Sequence, residues 1–373
     1  MGTTLTLIDH HQIPDPDFIH NPKVTVVFGY DHDNYFENIK PHINKQFDYV
    51  FMDENPDAMI AATLYLRSRE IRPQFKCLPR ALNENDFNRL KKAGLNHIVF
   101  FNNLWAYDSA IDEVDTVFLI NPHESGLQNI SASHLLYESI PDTSNFTRDL
   151  AGVAAVMDYT MDEAFDLIVD IVSSYPDTFA DLAEMIKNIT LNKYNVGDSV
   201  FGEITSMFRA PSILYGVKGV DNVVQSLVEN PPFTLQELLN GTDNSSVQYL
   251  LSCAEKYKEI FDQEMALFEE EKEAQDRVII YAPHYKSQNF VREFSNRIKD
   301  KNIHSIIMIK TPTDDNRTKY SIRRGELKID LGAVLSDMGV GGGNPFAAGC
   351  TVSDPVSFEK EFLKRVKAID PVP

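Results

Sequence analysis

Short apolar runs alternate with segments of helical composition over the first 160 residues of the chain. Five of these runs have the length and the β-branched or aromatic content of buried strands. They lie at residues 3–8, 23–30, 48–52, 97–101 and 114–120. Buried strands that alternate with helical segments indicate a doubly wound, mainly parallel sheet, so we predict an α/β fold for this part of the chain.

Helical patterning dominates the middle of the chain, and apolar strands return near its end. Helices are predicted at residues 131–139 and 147–158, and a helical region follows from 161 to about 240, with breaks at Pro176, Pro211 and Pro231. A long helix over 247–276 is expected to connect two domains. We therefore predict an α/β domain over 1–160, a helical linker region over 161–276 and a smaller C-terminal α/β domain over 277–373.

Polar clusters follow the strands of the first domain at the points where the strands end. The clusters contain Asp9, His10 and His11, then Asp31 to Asp33, then Asp53 to Asp57, then Asn102 and Asn103, and finally His123. In an open parallel sheet, ligands bind beyond the carboxyl ends of the strands. Carboxylate and imidazole groups placed there can hold manganese or magnesium, and two such ions can activate water for phosphoryl transfer.

Composition narrows the class of protein. The chain has 373 residues, of which 43% are hydrophobic and 24% charged, as in ordinary soluble globular proteins. It has no run of about 18 apolar residues and no signal-peptide pattern, so we expect no membrane association. Its three cysteines, Cys77, Cys253 and Cys350, are far apart, which argues against a zinc site or disulfide framework and for a reducing compartment.

Charge is distributed unevenly along the chain. The net charge of −20 disfavours nucleic-acid binding over the whole surface. Residues 277–330 nevertheless contain twelve Lys or Arg against six Asp or Glu. This stretch is either the solvated surface of an α/β domain or an anion-facing lobe, and the sequence leaves both open.

A glycine-rich stretch, GGGNPFAAG at residues 341–349, lies near the end of the chain. Three consecutive glycines permit unusual backbone angles and close approach to a ligand. We predict a turn of bare N–H groups that leads into a helix, an arrangement that binds anions. The stretch resembles the GGGHxxAAG signature in the C-terminal domain of the DHH phosphoesterase superfamily, which includes the RecJ nucleases. The signature histidine is replaced by Asn344.

The resemblance extends to the metal-binding motifs of the superfamily. The stretch from Asp53 to Met59 resembles the first motif, HxNPDGDA, which implies that Asp53 and Asp57 are metal ligands, whereas Met59 replaces an acidic ligand. Asn102 or Asn103 stands where the second motif has aspartate. Of the third motif, Asp-His-His, only a histidine, His123, survives. The fourth motif is an aspartate after a helix of small residues, and Asp158 matches it. The implied remnant, Asp53, Asp57, His123 and Asp158, is expected to hold one metal weakly and not to support two-metal hydrolysis.

The triplet Asp9-His10-His11 reads like an intact third motif, yet it precedes the first motif. Three interpretations remain open. The triplet is a coincidence, a vestige of a rearranged domain, or a working ligand set that a circularly permuted sheet brings to the crevice.

Degenerate motifs of this kind resemble the RecJ-derived cofactor of the replicative CMG helicase in eukaryotes and its archaeal counterparts. That resemblance implies an inactive subunit without a metal cofactor that binds the GINS complex and the MCM helicase, with single-stranded DNA as a further ligand. It also implies a location in the cytoplasm at the nucleoid of a prokaryote, or in a eukaryotic nucleus.

Two other functions remain open. The first is a manganese- or magnesium-dependent phosphoesterase or 5′→3′ single-strand exonuclease, in which Asp9, His10 and His11 join Asp53 and Asp57. The second is a module that binds a nucleotide or a single-strand end through Arg323, Arg324, Gly341, Gly342, Gly343 and Asn344.

Overall fold

A computed structural model describes residues 24–28, 46–78, 81–82, 92, 97–101, 104–105, 115–120, 131–142, 144–158, 160–161, 163–187, 199–313 and 315–369. The predicted strand at 3–8, the clusters Asp9 to His11 and Asp31 to Asp33, and Asn102, Asn103 and His123 lie outside these described residues. The chain divides into two compact units, Met1–Ala254 and Glu255–Pro373.

A five-stranded sheet forms the centre of the first unit, and every neighbouring pair of its strands is parallel. In spatial order the strands are β1 (Val24–Phe28), β7 (Asp115–Ile120), β5 (His97–Phe101), β2 (Tyr49–Met52) and β3 (Gln74–Cys77). Two short strands, β4 (Ala81–Leu82) and β6 (Leu104–Trp105), pair with each other. The α/β class and the parallel sheet predicted from the apolar runs are confirmed.

The order of the strands fixes where a crevice forms. Strand β2 has β3 on one side and β5 on the other, so the chain crosses over β2 between them. In open parallel sheets such a crossing opens a crevice beyond the carboxyl ends of the two strands. Met52, the last residue of β2, is followed there by Asp53.

Helices make up most of the remaining described residues of the first unit. They are α1 (Pro56–Arg67), α2 (Ala132–Ser139), α3 (Asn145–Met157), α4 (Phe165–Ser174), α5 (Ala180–Lys187), α6 (Val200–Tyr215), α7 (Val217–Glu229), α8 (Leu235–Asn240) and the first part of α9 (Ser245–Glu271). Helix α1 is buried from Pro56 to Leu66, because its sequence is apolar on every side. It begins at the capping residue Asn55 with Pro56 in its first turn, a favourable start since proline has no N–H to leave unpaired.

The second unit contains a six-stranded sheet. Its spatial order is β12 (Gly341–Gly343), β13 (Ala347–Val352), β11 (Thr318–Arg324), β10 (Ile306–Pro312), β9 (Val278–Tyr281) and β8 (Glu273–Gln275). Strands β9 and β10 pair with each other in parallel, and the other neighbouring strands of this sheet pair antiparallel. Helices α11 (Leu331–Asp337) and α12 (Pro355–Ile369) supply buried residues to the apolar cluster on one face of this sheet, and α10 (Gln288–Lys301) contacts the polar positions of β11 on the other.

Two predicted features differ from the structure. Pro211 lies inside α6 and does not break it, although an interior proline costs a helix about 3 kcal/mol; the buried residues around it outweigh that cost. The predicted helix over 247–276 ends at Glu271, because residues 273–275 pair with β9 as strand β8. Within the described ranges, no helix has the length and apolar character needed to cross a membrane.

Candidate functional site

The candidate site of the first unit begins at the end of β2. Asp53 is almost fully buried, and its Oδ1 accepts a hydrogen bond from the backbone N–H of Asn55 at 2.8 Å. The Asn55 Oδ1 in turn accepts from the backbone N–H of Asp57 at 3.0 Å, which starts α1. Asp53 also donates its own N–H to the carbonyl of Phe101 at 3.2 Å, so the site is tied to the end of β5.

Asp57 is fully buried and bound to the first turn of α2. Its Oδ2 accepts from the backbone N–H of Ala132 at 2.8 Å, and its Oδ1 accepts from that of Ser133 at 2.9 Å. The Ser133 hydroxyl donates to the Asp57 carbonyl at 2.8 Å. A carboxylate at a helix start satisfies N–H groups that have no partner in the helix and interacts favourably with the helix dipole. Asp57 therefore joins α1 to α2.

Asp158 follows the last residue of α3 and lies beside the other two aspartates. Its Oδ1 accepts from Asn55 Nδ2 at 3.3 Å, so Asn55 links the strand end to the helix end. Burial above all, and then the charges of Asp57 and Asp53, raise the pKa of Asp158 well above its usual value. This environment favours the neutral acid, since a buried carboxylate beside others is costly.

The described part of this site supplies an incomplete set of metal ligands. Met59, which stands where the resembled motif has an acidic ligand, is buried in the apolar core. Both carboxylate oxygens of Asp57 already accept backbone hydrogen bonds. Among the described residues, no group of three or more His, Cys, Asp or Glu is placed to hold a metal ion. The structure thus brings Asp53, Asp57 and Asp158 together, while His123 and the Asp9-His10-His11 triplet lie outside the described ranges.

The glycine-rich stretch of the second unit is a β-hairpin. The prediction that it leads into a helix is wrong, because Ala347–Val352 pairs antiparallel with β11 and continues the sheet. Asn344 closes the turn: its Oδ1 accepts from the backbone N–H of Phe346 at 2.9 Å and of Ala347 at 2.8 Å. The residue in the place of the signature histidine therefore holds the hairpin in shape.

Arg323 and Arg324 have different surroundings because successive strand residues face opposite sides of a sheet. Arg323 Nε donates to Asn296 Oδ1 of α10 at 3.2 Å. Partial burial, and next the charge of Arg292, lower the pKa of Arg323 to about 10. Its anion-binding role stays a prediction.

Arg324 is held by the backbone of the glycine hairpin and of the segment after β11. Its Nε donates to the Pro345 carbonyl at 2.7 Å, and its Nη1 donates to the carbonyls of Gly325 and Leu327. Its guanidinium lies 4.2 Å from the ring centre of Phe346. These contacts make Arg324 a support of the hairpin, and its anion-binding role stays a prediction.

Sequence reasoning missed several residues around the two sites. Asn55 carried a local signal, since Asn followed by Pro is typical of a helix start. Ser133 carried no such signal, because its partner Asp57 lies 76 residues away in the sequence. The same holds for Arg209, which donates a hydrogen bond to the carbonyl of Met157, 52 residues away and next to Asp158. Asn296, the partner of Arg323, was hidden for the same reason.

Comparison with known proteins identifies the second unit. Residues 275–369 match the family model of the DHHA1 domain. No curated protein matches the chain by sequence. The DHHA1 match and the fold support the resemblance to the DHH phosphoesterase and RecJ-like superfamily.

Solved structures share the fold at low sequence identity. A pGpG-specific phosphodiesterase, PggH from Vibrio cholerae, has a TM-score of 0.50 and 12% identity, covering 86% of this chain and 99% of that one. RecJ from Thermus thermophilus in complex with Mn²⁺ has a TM-score of 0.55 and 13% identity over 93% of this chain. Its complex with Mg²⁺ gives a TM-score of 0.55 and 12% identity. This chain spans only 56% of the RecJ chain in the Mn²⁺ complex.

Proposed function

We propose that this chain is a catalytically inactive RecJ-like subunit of a DNA replication complex, which binds GINS and MCM helicase components and does not cut nucleic acid. The observation that carries the proposal is the hydrogen bonding of Asp57. Both of its carboxylate oxygens accept backbone N–H groups of α2, so the residue that resembles a metal ligand builds the fold. The buried Met59 removes a further ligand from the same motif.

The charge of the chain supports the same proposal. A strongly acidic chain suits a role in protein binding better than it suits the broad basic groove of a nuclease.

The inactive state is tested by titrating the purified chain with manganese in a calorimeter and assaying single-strand exonuclease activity in the same buffer. We expect neither micromolar binding nor cleavage. Binding and cleavage that both disappear in His10→Ala, but persist in the surface control Asp262→Asn, would overturn the proposal and place the N-terminal triplet in a working site.

The binding role is tested by mixing the full chain with a purified GINS complex, and separately with MCM, and following co-elution by size-exclusion chromatography. We expect a complex that survives the chelator EDTA, since no metal is required. Separate elution from both components at micromolar concentration contradicts the partner assignment, whatever the result of the metal titration.

A manganese-dependent phosphoesterase or exonuclease is the second candidate. It is favoured by the fold relatives, one titled a phosphodiesterase and another a RecJ with Mn²⁺. It requires ligands from Asp9, His10, His11 or His123, because the described residues do not supply a metal group. A nucleotide or single-strand-end binding module is the third, and it rests on the partly buried cation of Arg323.

A further inference from the structure

Strand β8 is an open edge of the six-stranded sheet in the second unit. It stands last in the spatial order of the described strands, and β9 is its neighbour on the other side. Its three residues, Glu273, Ala274 and Gln275, are all exposed. A bare edge strand offers its backbone N–H and C=O groups to another strand, so β8 is a place where a second chain can pair.

The geometry of the hairpin shows which backbone groups of β8 are available. Residues 276 and 277 form a two-residue turn between β8 and β9, and the register pairs Gln275 with Val278 and Ala274 with Ile279. The residues that flank such a turn form a hydrogen-bonded pair, and along antiparallel strands these pairs alternate with pairs that are not hydrogen bonded to each other. Ala274 therefore directs both its N–H and its carbonyl away from β9, toward the open side of the sheet.

The residues around Ala274 are complementary in charge to the same residues read in reverse. In an antiparallel pair of two copies centred on Ala274, Lys272 of each copy lies opposite Asp276 of the other, and Glu273 lies opposite Gln275. A cation then meets an anion, and a carboxylate meets an amide that can donate to it. Charged side chains on an edge strand commonly discourage pairing, but this arrangement opposes no like charges.

A two-fold axis at Ala274 also satisfies the open backbone groups. Because the N–H and the carbonyl of Ala274 point to the same side, the two copies of this residue can exchange two reciprocal hydrogen bonds across the axis. Moving the axis to Glu273 would oppose two carboxylates and would require backbone groups that already pair with β9. Charge and hydrogen bonding therefore select the same register.

The ends of two helices extend this surface beyond the strand. Lys367 Nζ lies 3.7 Å from Asp276 Oδ2, so the end of α12 is beside the β8–β9 turn, and the exposed apolar Ile369 is the last residue of that helix. In the antiparallel pair, the turn of one copy faces the end of α9 of the other. Residues 269–271 of α9 are all glutamate, and carboxylates at a helix C-terminus oppose the helix dipole. The cation Lys367 of a second copy is a favourable neighbour for them.

We propose that a second copy of this chain pairs with β8 about a two-fold axis at Ala274, so that the six-stranded sheets of the two copies join into one continuous sheet. Two-fold symmetry is the commonest arrangement of homo-oligomers. A strand from another protein is a poorer match, because the charges around Ala274 fit their own reversed order. This inference goes beyond the proposed subunit role and requires no metal, nucleic acid or replication partner.

Dimer formation is tested by size-exclusion chromatography with light scattering on the full chain, from low to high micromolar concentration, where we expect the mass of a dimer. Ala274→Pro removes the outward N–H but no bond to β9, and should leave the chain monomeric, whereas Ala274→Ser keeps the N–H and should dimerise like the parent. Lys272→Glu opposes carboxylates at both symmetric sites and should weaken the dimer about tenfold. The matched control Lys258→Glu reverses an exposed charge within α9 and should change nothing.

Cross-linking tests the register of the pair. Paired Ala274 residues have Cα atoms about 5.5 Å apart, within the range of a disulfide, so Ala274→Cys should link two chains under mild oxidation, and Lys258→Cys should not. The three native cysteines are buried and do not compete. Thermal melting checks that each variant folds, and if Ala274→Pro does not fold, Lys272→Glu and the cross-link decide. A monomeric parent, a folded Ala274→Pro that still dimerises, equal dimerisation of Lys272→Glu and its control, or an unlinked Ala274→Cys would each overturn the proposal.

Discussion

Replacing Asp57 by alanine is expected to destabilise the first unit strongly, because it removes the link between α1 and α2. The change leaves the N–H groups of Ala132 and Ser133 without their acceptors in a buried position. Each unsatisfied buried donor costs about 1–3 kcal/mol, or about 2–6 kcal/mol for the pair. Relief of repulsion from Asp53 offsets part of this cost, so we expect a net loss of about 2–4 kcal/mol.

The assay is urea denaturation in EDTA, combined with hydrogen exchange of peptides that cover residues 131–139. The variant is expected to unfold at lower urea concentration and to exchange faster across α2. Asp57→Asn keeps one acceptor oxygen and should lose less stability than Asp57→Ala. The exposed control Asp262→Asn should stay within about 0.5 kcal/mol of the parent chain.

Two results would refute this reasoning. One is an Asp57→Ala chain as stable as its parent in EDTA, with unchanged exchange at α2. The other is a parent chain that manganese stabilises while Asp57→Ala is not stabilised, because the carboxylate would then serve a metal and not the helix.

Three further predictions concern other parts of the molecule. Burial lowers the pKa of His134 to about 4, so between pH 6.5 and pH 4 the folded state binds fewer protons than the unfolded state. The free energy of unfolding should therefore fall by about 3 kcal/mol as the pH drops through this range. Urea titrations at each pH should show a flatter decline for His134→Gln. Gly343→Ala should lower the melting temperature of the second unit, because φ is +150° and the added Cβ meets a carbonyl at 2.4 Å, whereas Gly342→Ala has open space and should be nearly neutral. Arg324→Lys keeps the charge but cannot bridge the carbonyls of Pro345 and Gly325, and should lower the free energy of unfolding by about 1–3 kcal/mol. The exposed control Lys364→Gln should show no such loss. Equal stability of the two variants would contradict the support role of this arginine.

Periodicity predicted much of the fold because it records which side of an element is buried. Strands β1, β2, β5 and β7 were recognisable as apolar runs, and their parallel pairing followed from the helices between them. The placement of Asp53 at a crevice also followed, since a polar residue after a buried strand lies at the carboxyl edge of the sheet. Its role as a metal ligand, like that of Asp57 and Asp158, stays a prediction.

The glycine-rich stretch shows where local reasoning stopped. Three glycines and two alanines suit a turn before a helix or before a strand equally well. Hydrogen bonding to β11, about 30 residues earlier in the chain, decided for the strand. Asn344 then acquired its partners from the hairpin that this pairing creates.

The sequence by itself determined the α/β class, the parallel sheet and the acidic strand ends, because these follow from residue type and local spacing. Only the tertiary structure decided that Asp57 holds the start of α2, that Arg324 supports the hairpin, and that Arg323 contacts Asn296 of α10. Each of these depends on partners far apart in the chain, and a hydrogen bond between distant residues leaves no periodic trace in the sequence that makes it.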